Sequence, residues 1–200
     1  LKEIAEFKSE GKRIRMNEVL QIIKSRRSIR NFTEQQIKEE DLRAILEAGQ
    51  YAPSGIGNQP WHFIVVQNQE LLGALSDASK QVAKNHKIEF FRKLADNKEF
   101  HAFHKAPTVV IIAGDEQTPC SPADCAAATQ NILLAAEALG LGACWINYGL
   151  FVFDGEESVH YKKLLNIPAG FRPFYSVALG YRKGEVPKAA PRKENVINFI

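Results

Sequence analysis

The sequence predicts an α+β domain, on three observations. Strand-like and helix-like runs follow one another without the strict strand–helix–strand alternation of a doubly wound sheet. Residues 108–113 (TVVIIA) form a continuous apolar run, which reads as a buried strand. Residues 121–139 form a helical run that beyond its first turn is Ala, Leu and Ile on nearly every side, which places it at the centre of the fold. The chain has 200 residues, 45% of them hydrophobic and 24% charged. Those values suit one folded domain with a sizeable core and exclude a disordered chain.

Taken in order, the elements follow from local chemistry. Met16 is the only methionine, and helical spacing begins just after it. Residues 1–15 are charged and poor in apolar side chains. They read as an N-terminal extension or expression remnant ahead of a domain spanning 16–200, with a helix that docks on a partner as the other reading. Asn17 caps a short helix whose apolar side is Val19, Leu20, Ile22 and Ile23 and which ends near residues 24–27. A second helix fits residues 39–51, after which Pro53, Gly55, Gly57 and Pro60 force a loop. Residues 61–67 (WHFIVVQ) are β-branched and aromatic, hence a strand. Helix resumes over 69–84, and a polar stretch dotted with aromatics runs to His104. The long helix opens with Ser121 at the N-cap, Pro122 at N1 and Asp124 at N3, and it stops at Gly140 and Gly142. Residues 143–148 resume as strand, 161–165 form a short helix and 174–181 a fourth strand. The tail from Lys183 carries Pro187 and Pro191 and is expected to lie extended on a surface.

The net charge is +3, from 26 basic and 23 acidic residues, too mild a balance to indicate nucleic acid. No apolar run approaches the roughly 18 residues of a membrane span, and no signal peptide is expected. Three cysteines cannot all pair, so a reduced, cytoplasmic protein is expected. Cys120, Cys125 and Cys144 lack the ligand spacing of a metal or iron–sulfur site. His101 and His104, three apart on an expected helix, sit among Phe100 and Phe103 without a carboxylate at ligand spacing. Structural roles are expected for all five, and no metal. A serine hydrolase is unsupported, since no Gly-x-Ser-x-Gly elbow occurs.

Two stretches carry chemistry. In KSRRSIR, Lys24, Arg26, Arg27 and Arg30 surround Ser28 just after a helix. Arginine forks with a hydroxyl suit a phosphate dianion, while the plainer reading is a solvated basic helix end that complements the helix dipole. In APSGIGNQPW, Gly55 and Gly57 let backbone approach a flat ligand, with Ser54, Asn58 and Gln59 as hydrogen-bonding groups. The plainer reading there is a turn leading into a strand.

Four motifs in order complete a pattern. They are Arg26-Arg27-Ser28-Ile29-Arg30, residues 52–63 (APSGIGNQPWHF), Leu139-Gly140-Leu141-Gly142, and Pro191-Arg192-Lys193 after a strand ending Leu179-Gly180-Tyr181. Over residues 17–200 this set resembles the FMN-dependent nitroreductase family. The resemblance implies a central, mostly antiparallel sheet flanked by helices, a buried central helix and an extended C-terminal arm. It also implies a homodimer with FMN at the subunit interface.

Residue by residue, the resemblance implies that Arg26 and Ser28 hold the phosphate, helped by Arg192 and Lys193. Arg27 would follow the ribityl chain, and Arg30 would face flavin N1 and O2, where charge gathers on reduction. Pro53 and Ser54 would come from the partner subunit, with Gln59 and Trp61 shaping the same loop. The strand Cys144-Trp145-Ile146-Asn147-Tyr148 would pass the other side of the ring, with a backbone N–H there or just after pointing at flavin N5. Many relatives carry Asn at the place occupied here by Gly57, with Asn58 one residue later, so either Asn58 reaches the ring or a main-chain group replaces it.

No side chain offers itself as acid or base, so the chemistry would be the flavin's. The implied activity is hydride transfer from NADH or NADPH to a nitroaromatic, quinone or enone, although some relatives dehalogenate. Residues 85–104, at the site mouth, would set that choice. A flavin or nucleotide carrier or sensor of the same fold is the alternative. A nucleic-acid binder built on the basic cluster would lack the exposed aromatic stripe such proteins use.

Overall fold

A computed structural model describes residues 6–9, 12–15 and 17–200. Its elements are β1 (Glu6–Ser9), β2 (Lys12–Arg15), α1 (Glu18–Ser25), α2 (Glu39–Gln50), β3 (Trp61–Val66), α3 (Gln69–Ala83) and α4 (Glu89–Asp96). There follow β4 (Thr108–Asp115), α5 (Ser121–Ala138), β5 (Gly142–Ile146), α6 (Ser158–Leu164) and β6 (Phe171–Gly180). β1 and β2 pair with each other as an antiparallel ribbon apart from the main sheet. The reading of residues 1–15 as an extension falls in part outside the described residues.

The main sheet has four strands in the order β3-β4-β6-β5, each pair antiparallel. Antiparallel sheets commonly leave one face wet, but this one is covered on both. Val109 and Ile111 face α3, Phe103 and a 3-10 turn at Tyr148–Asp154, whereas Val110 and Ile112 face Ile45 of α2 and Ile132 and Leu133 of α5. All four strand side chains are fully buried, which is why residues 108–113 show no polar alternation. Each such burial contributes about 1.5–3 kcal/mol.

Several boundaries depart from the sequence reading. Ser121 is the first residue of α5 rather than its cap, and Asp124 turns its carboxylate away to the loop before β3. α5 buries a stripe containing Cys125, Ala128, Ile132, Leu133 and Ala136, while Ala126, Ala127 and Leu134 stay half-buried. β5 stops at Ile146, because the chain coils into the 3-10 turn held by Leu150 N–H to the Asn147 carbonyl (3.0 Å). The Ser79 hydroxyl locks that turn, donating to the Gly149 carbonyl (2.9 Å) and accepting from Val152 N–H (3.2 Å). Glycine is required at 149, where a Cβ would come within 2.2 Å of the Phe103 ring.

The polar stretch before His104 contains α4, whose Ala95 is buried and whose Phe90 stands exposed. His101 and His104 are in a turn, not a helix: His104 N–H bonds to the His101 carbonyl (2.9 Å), and His104 and Lys105 both take positive φ (54° and 53°). The anchors are Phe103, fully buried, and the Ser76 hydroxyl, which accepts from Ala102 N–H (2.9 Å). No helix among the described residues is long and apolar enough to cross a membrane.

Candidate functional site

The basic segment after α1 runs along the outer edge of β5. Ser28 bridges Ala143 in parallel, and Ile29 N–H donates to the Ala143 carbonyl (3.0 Å). Ile29 is buried against Gly142, where a Cβ would lie 2.9 Å from the Ile29 side chain. Extended backbone then turns Ser28 and Arg30 to the opposite side from Ile29.

Arg26, Ser28 and Arg30 gather around Cys144. Its thiol donates to the Trp145 carbonyl (3.6 Å) and lies in the field of both arginines. Burial pushes that thiol up, against the pull of the cations, so it stays protonated and does not neutralise them. Neither Arg26 nor Arg30 forms an ion pair among the described residues. His104 approaches from the turn after α4. Burial, with help from Arg30 and His101, lowers its imidazole to about 4, which keeps it neutral beside the guanidinium. The result is an edge with unmatched positive charge and a hydroxyl, suited to an anion.

Arg27 does not join this group. Its guanidinium folds onto the carbonyls of Lys24 (2.7 Å), Ser25 (3.0 Å) and Arg26 (2.8 Å), at the negative pole of α1. Arg192 and Lys193 are not brought in either. The root of the arm docks, through Lys183 N–H to the Asn31 carbonyl (3.0 Å) and around a cavity of about 190 Å³ lined by Ser28, Arg30, Asn31, Lys183, Glu185 and Pro187. Both basic residues lie farther along it, exposed.

The glycine loop is a separate surface. Ser54 Oγ accepts from Gln59 N–H (3.0 Å), and Gly55–Gly57 make one 3-10 turn. Gly55 N–H donates to both oxygens of Asp124 (3.1 and 3.2 Å), which anchors the loop to the first turn of α5. Pro53, Gly57, Asn58 and Gln59 are exposed and Ser54 half-buried. Ile56 and Gln59 both have positive φ (48° and 46°), and Ile56 is 96% exposed. A bulky side chain held out at a left-handed position is a strained arrangement of the kind that collects at functional surfaces. Beyond β5, Trp145 Nε1 donates to Asn147 Oδ1 (3.0 Å) and its ring packs edge-on to Tyr175 (4.8 Å). Ile146 faces the core, and its carbonyl accepts from Ser176 Oγ (2.6 Å).

Asp124 escaped the sequence reading as part of this region, and Cys144 and His104, read as a strand residue beside the ring and as part of the site mouth, were not expected next to the arginines. Asp124 had been given to a helix cap, and only three-dimensional packing carries Cys144 and His104 to the arginines.

The family model described as the nitroreductase family matches residues 23–181. The chain belongs to the nitroreductase family. Among solved structures it is similar to a nitroreductase with bound FMN from Bacteroides fragilis, at 36% identity and a TM-score of 0.86, covering 92% of this chain and 100% of that one. It is also similar to an FMN-dependent nitroreductase from Clostridium difficile, at 34% identity and a TM-score of 0.77, covering 92% and 99%. An FMN reductase (NADPH) of Bacillus subtilis is 28% identical over 92% of this chain and 76% of its own length. For a nitroreductase-family chain, the matched span takes in the basic edge, the glycine loop and the turn after β5, and it ends before Arg192 and Lys193.

Proposed function

We propose that the protein binds FMN and passes hydride from NADH or NADPH to a small electrophile such as a nitroaromatic, quinone or enone, working as a homodimer with FMN between subunits. The observation that carries this reading is the meeting of Arg26, Ser28 and Arg30 around a protonated thiol, with no carboxylate paired to either arginine among the described residues. That donor set fits a phosphate and the electron-rich edge of a flavin, and two of the similar proteins named above are FMN-bound or FMN-dependent nitroreductases.

In this reading Arg26 and Ser28 hold the phosphate, and Arg30 places positive charge at the pyrimidine edge, N1 and O2. FMN, when bound, supplies hydride acceptance and donation at N5. Trp145 and Asn147 line the far side. Pro53, Ser54, Gly57, Asn58 and Gln59 of a second copy close the site, with Arg192 and Lys193 of an arm completing the phosphate contacts. Exposed apolar side chains support a second copy: Val19 and Ile23 on α1, Ile56 on the loop, and Val196, Ile197 and Phe199 on the arm. The neutral His104 adds no positive charge beside Arg30. The exposed Phe90 on α4 offers an aromatic face at the mouth for acceptor choice.

The test is anaerobic reduction of the flavin-loaded protein. NADH or NADPH should bleach the flavin absorbance with matching nicotinamide oxidation, and a nitroaromatic or quinone should restore it. A flavin that neither nucleotide reduces would leave a carrier rather than an enzyme.

A further inference from the structure

We propose that Glu137 is a positioning residue for the phosphate-binding segment, acting through Ser25 and Arg182; the inference rests on the FMN reading above. Glu137 lies in the last turn of α5, where a carboxylate meets the negative pole of the helix and is disfavoured by it. It is nonetheless largely buried, with its side chain 11% exposed. A carboxylate so placed needs partners, and it has two. Its Oε1 accepts from Ser25 Oγ (2.9 Å), and its Oε2 accepts from Arg182 Nη2 (2.6 Å). Arg182 in turn donates to the Leu141 carbonyl from Nε (3.1 Å) and Nη2 (2.9 Å), which satisfies the end of α5.

The two partners stand at the two ends of the basic segment. Ser25 closes α1 and is bonded covalently to Arg26. Arg182 pairs in antiparallel fashion with Phe32, just past Arg30 and Asn31. One carboxylate therefore ties the entry of the segment to the residue past β6 that bridges its exit, while Ile29 holds the middle on β5. A segment pinned at three points presents Arg26 and Ser28 without first losing backbone freedom, which is what preorganises a phosphate site. The same arginine immediately precedes the arm, so the tie also fixes where the arm leaves the domain.

The experiment compares FMN with riboflavin, which lacks the phosphate, by fluorescence titration of the full chain. Ser25→Ala removes the tie at an exposed hydroxyl and leaves the Glu137–Arg182 pair intact. It should weaken FMN binding about 2- to 10-fold, the worth of one hydrogen bond, and leave riboflavin unchanged. Glu137→Gln should weaken FMN further with riboflavin again unchanged, and Ser25→Thr, which keeps the hydroxyl, should bind as wild type does. Apo-protein melting of Ser25→Ala should match wild type. Equal losses for FMN and riboflavin, or wild-type FMN affinity in Ser25→Ala, would overturn the positioning role. If Glu137→Gln fails to fold, Ser25→Ala decides alone. A wild-type protein that holds FMN no tighter than riboflavin would overturn the phosphate reading itself, and this inference with it.

Discussion

Residues 25–31 are bonded to β5 through Ile29, to α5 through Ser25 and Glu137, and to the arm's root through Asn31 and Lys183. Residues 183–200, which also carry arginine and lysine toward the proposed phosphate, are exposed along their whole length and form no helix or strand. The first stretch is held by its own chain before any ligand arrives. The second has apolar side chains, Phe199 at 95% exposure among them, that nothing in one copy covers. Burying such surface is worth about 25 cal/mol per Å², so a second copy that covers it would order the arm. In the proposed FMN site, the contrast corresponds to a prebuilt half and a half that association of two copies would complete.

The largest expected effect breaks or keeps that division. Arg26→Ala should cost about 1.5–3 kcal/mol of FMN binding, one charge-assisted contact, at any protein concentration. Arg192→Ala should cost less, and its effect should fade on dilution as subunits separate. Calorimetric titration at high and low protein concentration checks both. If Arg192→Ala costs nothing at high concentration, the arm is not part of the site.

Next is the loop. Asp124→Ala strips Gly55 N–H of its acceptor, and the Asp124 side chain is mostly buried. The loss should be about 1–2 kcal/mol in dimer affinity, with faster exchange of the Gly55 amide and little change in apo melting. An unaltered exchange rate would show that the loop holds itself.

Arg30→Gln sharpens the roles within the prebuilt half. A cation beside the pyrimidine edge favours the reduced, anionic flavin, and screening of this exposed side chain brings the benefit to about 1–2 kcal/mol. The two-electron potential should fall, with FMN affinity nearly kept, and Arg26→Gln should do the reverse. Dye equilibration in both variants measures it. An unchanged potential in Arg30→Gln would remove the electronic role.

The effect least tied to the flavin is on acid stability. His104 is lowered from an ordinary 6.5 to about 4 in the folded chain, by burial first and then by Arg30. Between those values the unfolded chain takes up a proton that the folded chain refuses. Stability is therefore lost as pH falls from 6.5 toward 4, and His104→Asn, which tolerates the left-handed backbone, should flatten melting temperature across that window.

Much of this was legible in the residues, for physical reasons that differ by element. β4 announced itself because a strand covered on both faces has no polar alternation, and α5 because its interior is small and apolar. The basic segment was legible as a motif, but the use of each arginine was not. Arg26, Arg27 and Arg30 are alike in sequence, and only the position of the α1 carbonyls turns Arg27 to helix capping. Asp124 sits at a helix start either way, and the nearness of Gly55, 69 residues away in sequence, decides that its carboxylate serves the loop. Tyr148 ends up in a turn rather than in β5 because Ser79, on α3, supplies both a donor and an acceptor there. Such long-range partners leave no local pattern.

The division into a prebuilt half and an associating half is tested most directly by sedimentation velocity of the FMN-loaded protein, followed at the flavin's own absorbance across a dilution series. Flavin should sediment with the dimer alone, and dilution should release flavin and separate subunits over the same concentration range. A boundary of flavin-loaded monomer would contradict the account.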